Sequence, residues 1–261
     1  MTHSTNGNSH ALIFQDRDRR LISELAVFRV VDREQAKQVA GFRSTTRANT
    51  RLLALTRAGF LKRAFVGTIA GGRKALYSAT PKGAAHLGEP VRGLNRPADA
   101  ILVGDLFIQH QLDVNTVLLA FRHSAMPEGI QFVRYAVFTE MLAPKARLIP
   151  DAYIEITVQG QPRAMFLEVD RGTETSKVWK RKTDGYLELA LSGEFQKKFH
   201  HAQFRVLVIG PSTRRIESLR QTVRKHTEKI FWFTTLSEIQ QHSPFVSIWT
   251  RPADSERRPL A

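Results

Sequence analysis

Three carboxylates give the sequence its clearest chemical signal: Asp151, Glu168 and Asp170. Asp151 follows Pro150 near the head of a strand-like run, Leu148 to Thr157, in which Tyr153, Glu155 and Thr157 alternate with Ile154 and Ile156. Glu168 and Asp170 close a second apolar run, Ala164 to Asp170, and strand alternation points both to one face. A hairpin about Gln159-Gly160 would carry Asp151 to the Glu168/Asp170 end. Carboxylates gathered there repel one another unless protons or a cation intervene. Such an oxygen-rich cluster suits Mg²⁺ or Mn²⁺, with Asp151, Glu168 and Asp170 as ligands. The ion would activate water and offset charge on a scissile phosphate. Lys177, Lys180, Arg181 and Lys182 follow on a predicted helix, Ser176 to Leu191, from which a lysine can reach back. The bland alternative is a solvated ion network of Glu168 and Asp170 with Arg171 and Lys177. His110, alone on a largely apolar helical pattern from Ile101 to Arg122, reads first as a core residue.

A second group of residues could hold a polyanion. The chain carries 39 lysines and arginines against 24 acids, a net +15, and 17 of those cations against 6 acids fall in residues 1–97. Within that segment Arg43, Thr46, Arg47, Thr50 and Arg51 lie on or just before a predicted helix, and Arg73 and Lys74 flank a Gly71-Gly72 turn. Ala48, Leu52 and Leu55 form the helix's apolar stripe, leaving Arg47 and Arg51 one turn apart on another side with Thr50 nearby. Long cations and hydroxyls so placed suit a major-groove reader.

The elements that must position these residues are legible from caps and breakers. The pattern predicts a helix from Gln15 to Val31 and a second from Arg33 to Ala40, capped by Asp32 and ended by Gly41. A third helix, capped by Ser44, Thr45 or Thr46, runs to about Ala58. Strands Phe60–Val66 and Lys74–Thr80 then turn at the glycine pair, where positive φ is easily adopted, and Pro81 opens a helix. Three short helices and a glycine-tipped basic hairpin resemble the winged helix family over about residues 15–88. Residues 1–14 read as a flexible N-terminus and 89–99 as a linker. Residues 100–250 read as a mixed α/β domain and 251–261 as a loose tail. Strand Phe204–Ile209, a basic helix capped by Ser212, and strand Ile230–Thr234 imply a parallel crossover, followed by a short helix, Leu236 to Gln241, started by Ser237.

Around the acids the sequence resembles the PD-(D/E)XK restriction-endonuclease-like fold: Pro150-Asp151, then a strand ending Glu168-Val169-Asp170, then a helix. It departs where that family has its lysine, which is Asp170 here. The resemblance implies that Lys182 takes over the lysine's role, with Lys180 as second choice, and that Asp151, Glu168, Asp170 and Lys182 form the catalytic set. The whole layout is similar to the plasmid replication-relaxation family, most distinctively in Glu168-Val169-Asp170-Arg171-Gly172-Thr173-Glu174 and in Lys182 four residues before Tyr186. That resemblance implies a bacterial, cytoplasmic protein of plasmid or mobile-element replication or transfer. It implies double-stranded DNA as partner, with replication or transfer proteins as further partners, and the winged-helix resemblance makes a homodimer a further expectation. A metal-dependent endonuclease and a non-catalytic regulator, its nuclease-like domain a protein-interaction scaffold, are both compatible with these residues. An RNA-binding role fits less well, because the aromatic residues are placed for core packing. The chain has no cysteine, which excludes disulfides, thiolate metal sites and a cysteine nucleophile. No apolar run is long enough for a membrane span, and Met1–His10 lacks a signal-peptide core.

Overall fold

A computed structural model describes residues 12–67, 71–90, 101–102, 106–138, 140–142 and 148–260. The chain forms two compact units, residues 1–108 and 109–261. Of the predicted flexible N-terminus, residues 1–11 lie outside the described residues, as do 91–99 of the predicted linker. Phe14, by contrast, packs its ring against Phe60 and His86.

The first unit opens with α1 (Asp16–Phe28). This helix is shorter than the apolar pattern suggests, because Arg29 takes a positive φ of 61° and Val31–Asp32 leave the helix to form β1. The Asp32 side chain then accepts the Gln35 N–H at 2.9 Å and so caps α2 (Arg33–Ala40), which Gly41 ends with φ 69°. Ser44 caps α3 (Thr45–Arg57) by accepting the Arg47 N–H. Strands β2 (Leu61–Gly67) and β3 (Arg73–Ala79) pair antiparallel, and Thr80 caps α4 (Pro81–Leu87) with proline in the first turn. β4 (Ile101–Leu102) lies parallel to β2, giving a sheet of order β1-β3-β2-β4. Residues 101–102 are thus a strand of the first unit, where the sequence suggested the start of a helix and of the second domain. Leu21, Ile22, Leu25, Ala36, Leu52 and Leu55 are fully or almost fully buried in the core of this unit.

The helix expected from Ile101 begins instead at Leu106: α5 (Leu106–His123). In the second unit β5 (Ile130–Ala136), β6 (Ala152–Val158) and β7 (Gln161–Val169) form an antiparallel run. Next come α6 (Ser176–Leu191), α7 (Glu194–Phe199), which the sequence pattern did not reveal, and β8 (Phe204–Gly210), parallel to β7. α8 (Thr213–Arg224), capped by Ser212, crosses to β9 (Phe231–Thr235), parallel to β8. The final helix, α9 (Leu236–Gln241), has the expected bounds, but its cap is Thr235 and not Ser237. The result is one mixed sheet of order β5-β6-β7-β8-β9. An aromatic core forms around Phe166, whose ring meets Tyr153, Tyr186, Phe195, Phe199 and Phe204.

The tail is not loose. Trp249 and Arg258 exchange backbone hydrogen bonds, Leu260 is buried, and Arg205 donates to the Leu260 carbonyl. Among the described residues no helix is long and apolar enough to cross a membrane.

Candidate functional site

Gln159 and Gly160 both adopt positive φ, 49° and 76°, and join β6 to β7 in a tight hairpin. The register sets Ala152 opposite Leu167, and Asp151 donates its N–H to the Leu167 carbonyl at 3.1 Å. Asp151 Oδ2 accepts the Val169 N–H at 2.7 Å. His110 Nε2, from α5, lies 3.2 Å from the same Oδ2 and 3.0 Å from the Val169 carbonyl. Facing two acceptors, that nitrogen carries a hydrogen. Burial draws the imidazole pKa down, but the Asp151 hydrogen bond and charge outweigh it and hold it above its usual value.

Glu168 is fully buried. Tyr186 donates its hydroxyl to Oε1 at 2.6 Å, and Lys182 Nζ donates to Oε2 at 2.9 Å and meets Glu174 at 2.8 Å. Burial pushes the Glu168 carboxyl up to about 7, Asp151 adds to the rise, and Lys182 and Tyr186 oppose it. Burial would lower the Lys182 pKa, but the charges of Glu168, Asp151 and Glu174 hold the ammonium above its usual range. Lys182 is therefore a permanent cation amid three carboxylates. Lys180, the second choice for this role, pairs instead with Asp184 on the exposed side of α6.

Asp170 departs from the expected cluster. Arg215, from α8, donates Nε to Oδ2 at 2.6 Å and Nη2 to Oδ1 at 3.0 Å, and the Gly172 N–H adds a bond at 2.8 Å. Burial raises the Asp170 pKa, but these donors outweigh it and hold the carboxyl below its usual value. Both oxygens are thus committed within the protein. Among the described residues no group of three or more His, Asp or Glu side chains is placed to hold a metal ion. Glu168 is likewise engaged at both oxygens, by Tyr186 and Lys182, so the expected three-carboxylate cluster is divided among separate protein partners. Ion pairing does occur here, but with Lys182 and Arg215; Arg171 pairs with Asp113 instead.

In the first unit, Arg43, Thr46, Arg47 and Thr50 are exposed on α3 and its approach, beside a shallow cavity of about 310 Å³ that Phe42 and Arg17 also line. Arg51 is corrected. Its Nε donates to Asp18 Oδ1 at 2.9 Å, its Nη2 to Oδ2 and to the Ile13 carbonyl, and the Asp18 side chain is wholly buried. It staples α3 to α1 from the wall of that cavity. Removing one partner of such a pair leaves an uncompensated buried charge. Arg51→Ala is therefore expected to cost about 3 kcal/mol in urea unfolding, against at most about 0.5 kcal/mol for Arg47→Ala. Equal losses would contradict this division of roles. Arg73 is exposed, while Lys74 reaches Asp32 at 3.0 Å with its side chain still 48% exposed.

Residues 22–203 match the model of a family described as replication-relaxation. The chain belongs to the replication-relaxation family. Comparison with curated proteins and with solved structures gives no match. In this replication-relaxation protein the matched span includes α3, the β6–β7 hairpin and Lys182, but ends before β8 and Arg215. Sequence reasoning did not assign His110, Glu174, Tyr186 and Arg215 to the site. Glu174 and Tyr186 sit within the Glu168-to-Tyr186 stretch already singled out. Arg215 was visible only as one of several cations on a basic helix.

Proposed function

We propose that this replication-relaxation protein binds double-stranded DNA through a winged helix formed by residues 15–88, in plasmid or mobile-element replication or transfer. The observation that carries this reading is the exposed row of Thr46, Arg47 and Thr50 on α3, with Arg43 just before it, in the most basic part of the chain, followed by a hairpin bearing Arg73. Side chains of α3 read base edges, and Arg73 and Lys74 hold the phosphate backbone. The test is fluorescence anisotropy with labelled duplex at fixed salt. Arg43→Ala/Arg47→Ala is expected to weaken binding by about 10-fold or more, since each lost charged contact is worth about 1–3 kcal/mol at best. Unchanged affinity with an intact fold would overturn the assignment to α3.

A second reading concerns the α/β unit, as a PD-(D/E)XK-like nuclease domain. It is favoured by the meeting of Asp151, Glu168 and Lys182 at the end of the β6–β7 hairpin, the three groups a phosphodiester-cleaving site needs. The donors fit a hard dication in kind, being carboxylate oxygens, though they are two and not three. Mg²⁺ or Mn²⁺ held by Asp151 and Glu168 would supply water activation and charge neutralisation. Lys182 would hold the phosphate, and His110 orients Asp151. The competing reading leaves this unit as a protein-interaction scaffold with its acids neutralised by its own cations.

A further inference from the structure

The ends of the parallel strands opposite to Glu168 and Asp170 carry an unclaimed basic groove. Two cavities, of about 350 and 530 Å³, share Ala202, Gln203, Phe204 and Arg205 and so run into one another across the starts of β7, β8 and β9. Arg163 at the start of β7, Arg205 in β8, and Lys229 and Arg251 beside β9 line them. Among the described residues, none of these four cations is in an ion pair. Arg205 and Arg251 both lie over the Trp232 ring, with guanidinium carbons 4.6 and 5.8 Å from its centroid. Arg251 Nε is buried with no hydrogen-bond partner. Burial, with the like charges of Arg163 and Arg251, holds the Arg205 pKa below its usual value. Glu155, which lies behind His201 of the groove wall, is already met by Arg134, His201 and Tyr153.

We propose that this groove binds the phosphate backbone of DNA, as a contact surface on the α/β unit separate from the carboxylate site. Like charges crowded without counter-charge are costly in a protein alone and favourable once a polyanion arrives. The groove is open and continuous rather than a closed pocket; Arg205 and Arg251 each give one donor to a backbone carbonyl, of Leu260 and Glu228, and their remaining guanidinium donors suit phosphate oxygens. Trp232 serves as the platform that fixes Arg205 and Arg251, with the exposed Arg163 and Lys229 extending the track on either side. The proposal rests on the reading of the chain as a DNA-binding protein.

The test uses the full chain and a fluorescein-labelled duplex of random sequence, titrated across about 50 to 200 mM NaCl. Arg163→Glu/Lys229→Glu alters only exposed side chains and leaves the Trp232 stack in place. It is expected to weaken binding about 10-fold or more and to lower the slope of log affinity against log salt by about 2. Circular dichroism should show an unchanged fold. Arg43→Ala/Arg47→Ala is run alongside. If that variant binds more weakly while the groove variant keeps both affinity and slope, the groove proposal is overturned and the α3 assignment stands. If only the groove variant weakens, the groove is supported and α3 is not the reader. A wild-type chain that binds no duplex overturns both. A last arm titrates inorganic phosphate by tryptophan fluorescence. Phosphate binding lost in the groove variant, with duplex binding unchanged, would mark a small-anion site and overturn the proposal.

Discussion

Lys182→Met is expected to lower stability by about 3–5 kcal/mol at pH 8, and by clearly less at pH 5.5. Glu168 is wholly buried, and among the described residues Lys182 is the cation paired with it. Without that ammonium the carboxylate is either charged in an apolar setting or protonated at the expense of the pH. The wild-type carboxyl is already pushed up to about 7 from an ordinary 4.5, so the fold favours its neutral form. The contribution of this group is therefore fully present below pH about 4.5 and is lost as pH rises through 7. Removing Lys182 moves the folded pKa higher still, so the gap between variant and wild type widens from pH 5.5 to pH 8. Urea unfolding at both values reads this directly. Glu168→Gln in the Lys182→Met background should recover most of the loss, because an amide keeps the Tyr186 bond without the charge. A loss equal at both pH values, or not relieved by Glu168→Gln, would show that the two groups are not coupled.

The second large effect is on chemistry. Wild-type protein is expected to nick supercoiled plasmid in Mg²⁺ or Mn²⁺. Asp151→Asn and Glu168→Gln should each reduce nicking on the order of 100-fold or more while leaving duplex affinity in place. Both substitutions preserve shape and remove one negative charge, so the comparison isolates the carboxylate. The readout is the open-circular fraction against time, with and without a chelator. If wild-type protein leaves plasmid intact while binding duplex normally, the nuclease reading falls and the scaffold reading takes its place.

What the sequence made legible is local. Asp32, Ser44, Thr80 and Ser212 each cap a helix because a short oxygen-bearing side chain stands just ahead of it. Gln159-Gly160 supplies the turn, and alternation puts Glu168 and Asp170 on one face, where both meet α6: Glu168 through Lys182 and Tyr186, Asp170 through Trp179. What alternation cannot say is which cation arrives from a distant element. Arg215 lies 45 residues beyond Asp170 and engages both of its oxygens. Arg51 is met in the same way. Its place off the apolar stripe of α3 is correct, but Asp18 of α1 waits on that side. The docked tail depends on Trp249, Arg258 and Arg205, contacts that polar composition hides.

The spacing of the site along the chain also sets an order of assembly. Asp151, Glu168, Glu174, Lys182 and Tyr186 come from one contiguous stretch, so hairpin and following helix can bring them together through short-range contacts, before the rest of the sheet closes. His110 leaves the ribosome ahead of them all and Arg215 well after. Lys182 is thus available to Glu168 as soon as α6 forms, whereas Asp170 waits for a partner not yet made. A nascent chain halted before β8 would carry that acid on a bare strand edge, with neither β8 beside it nor Arg215 above it.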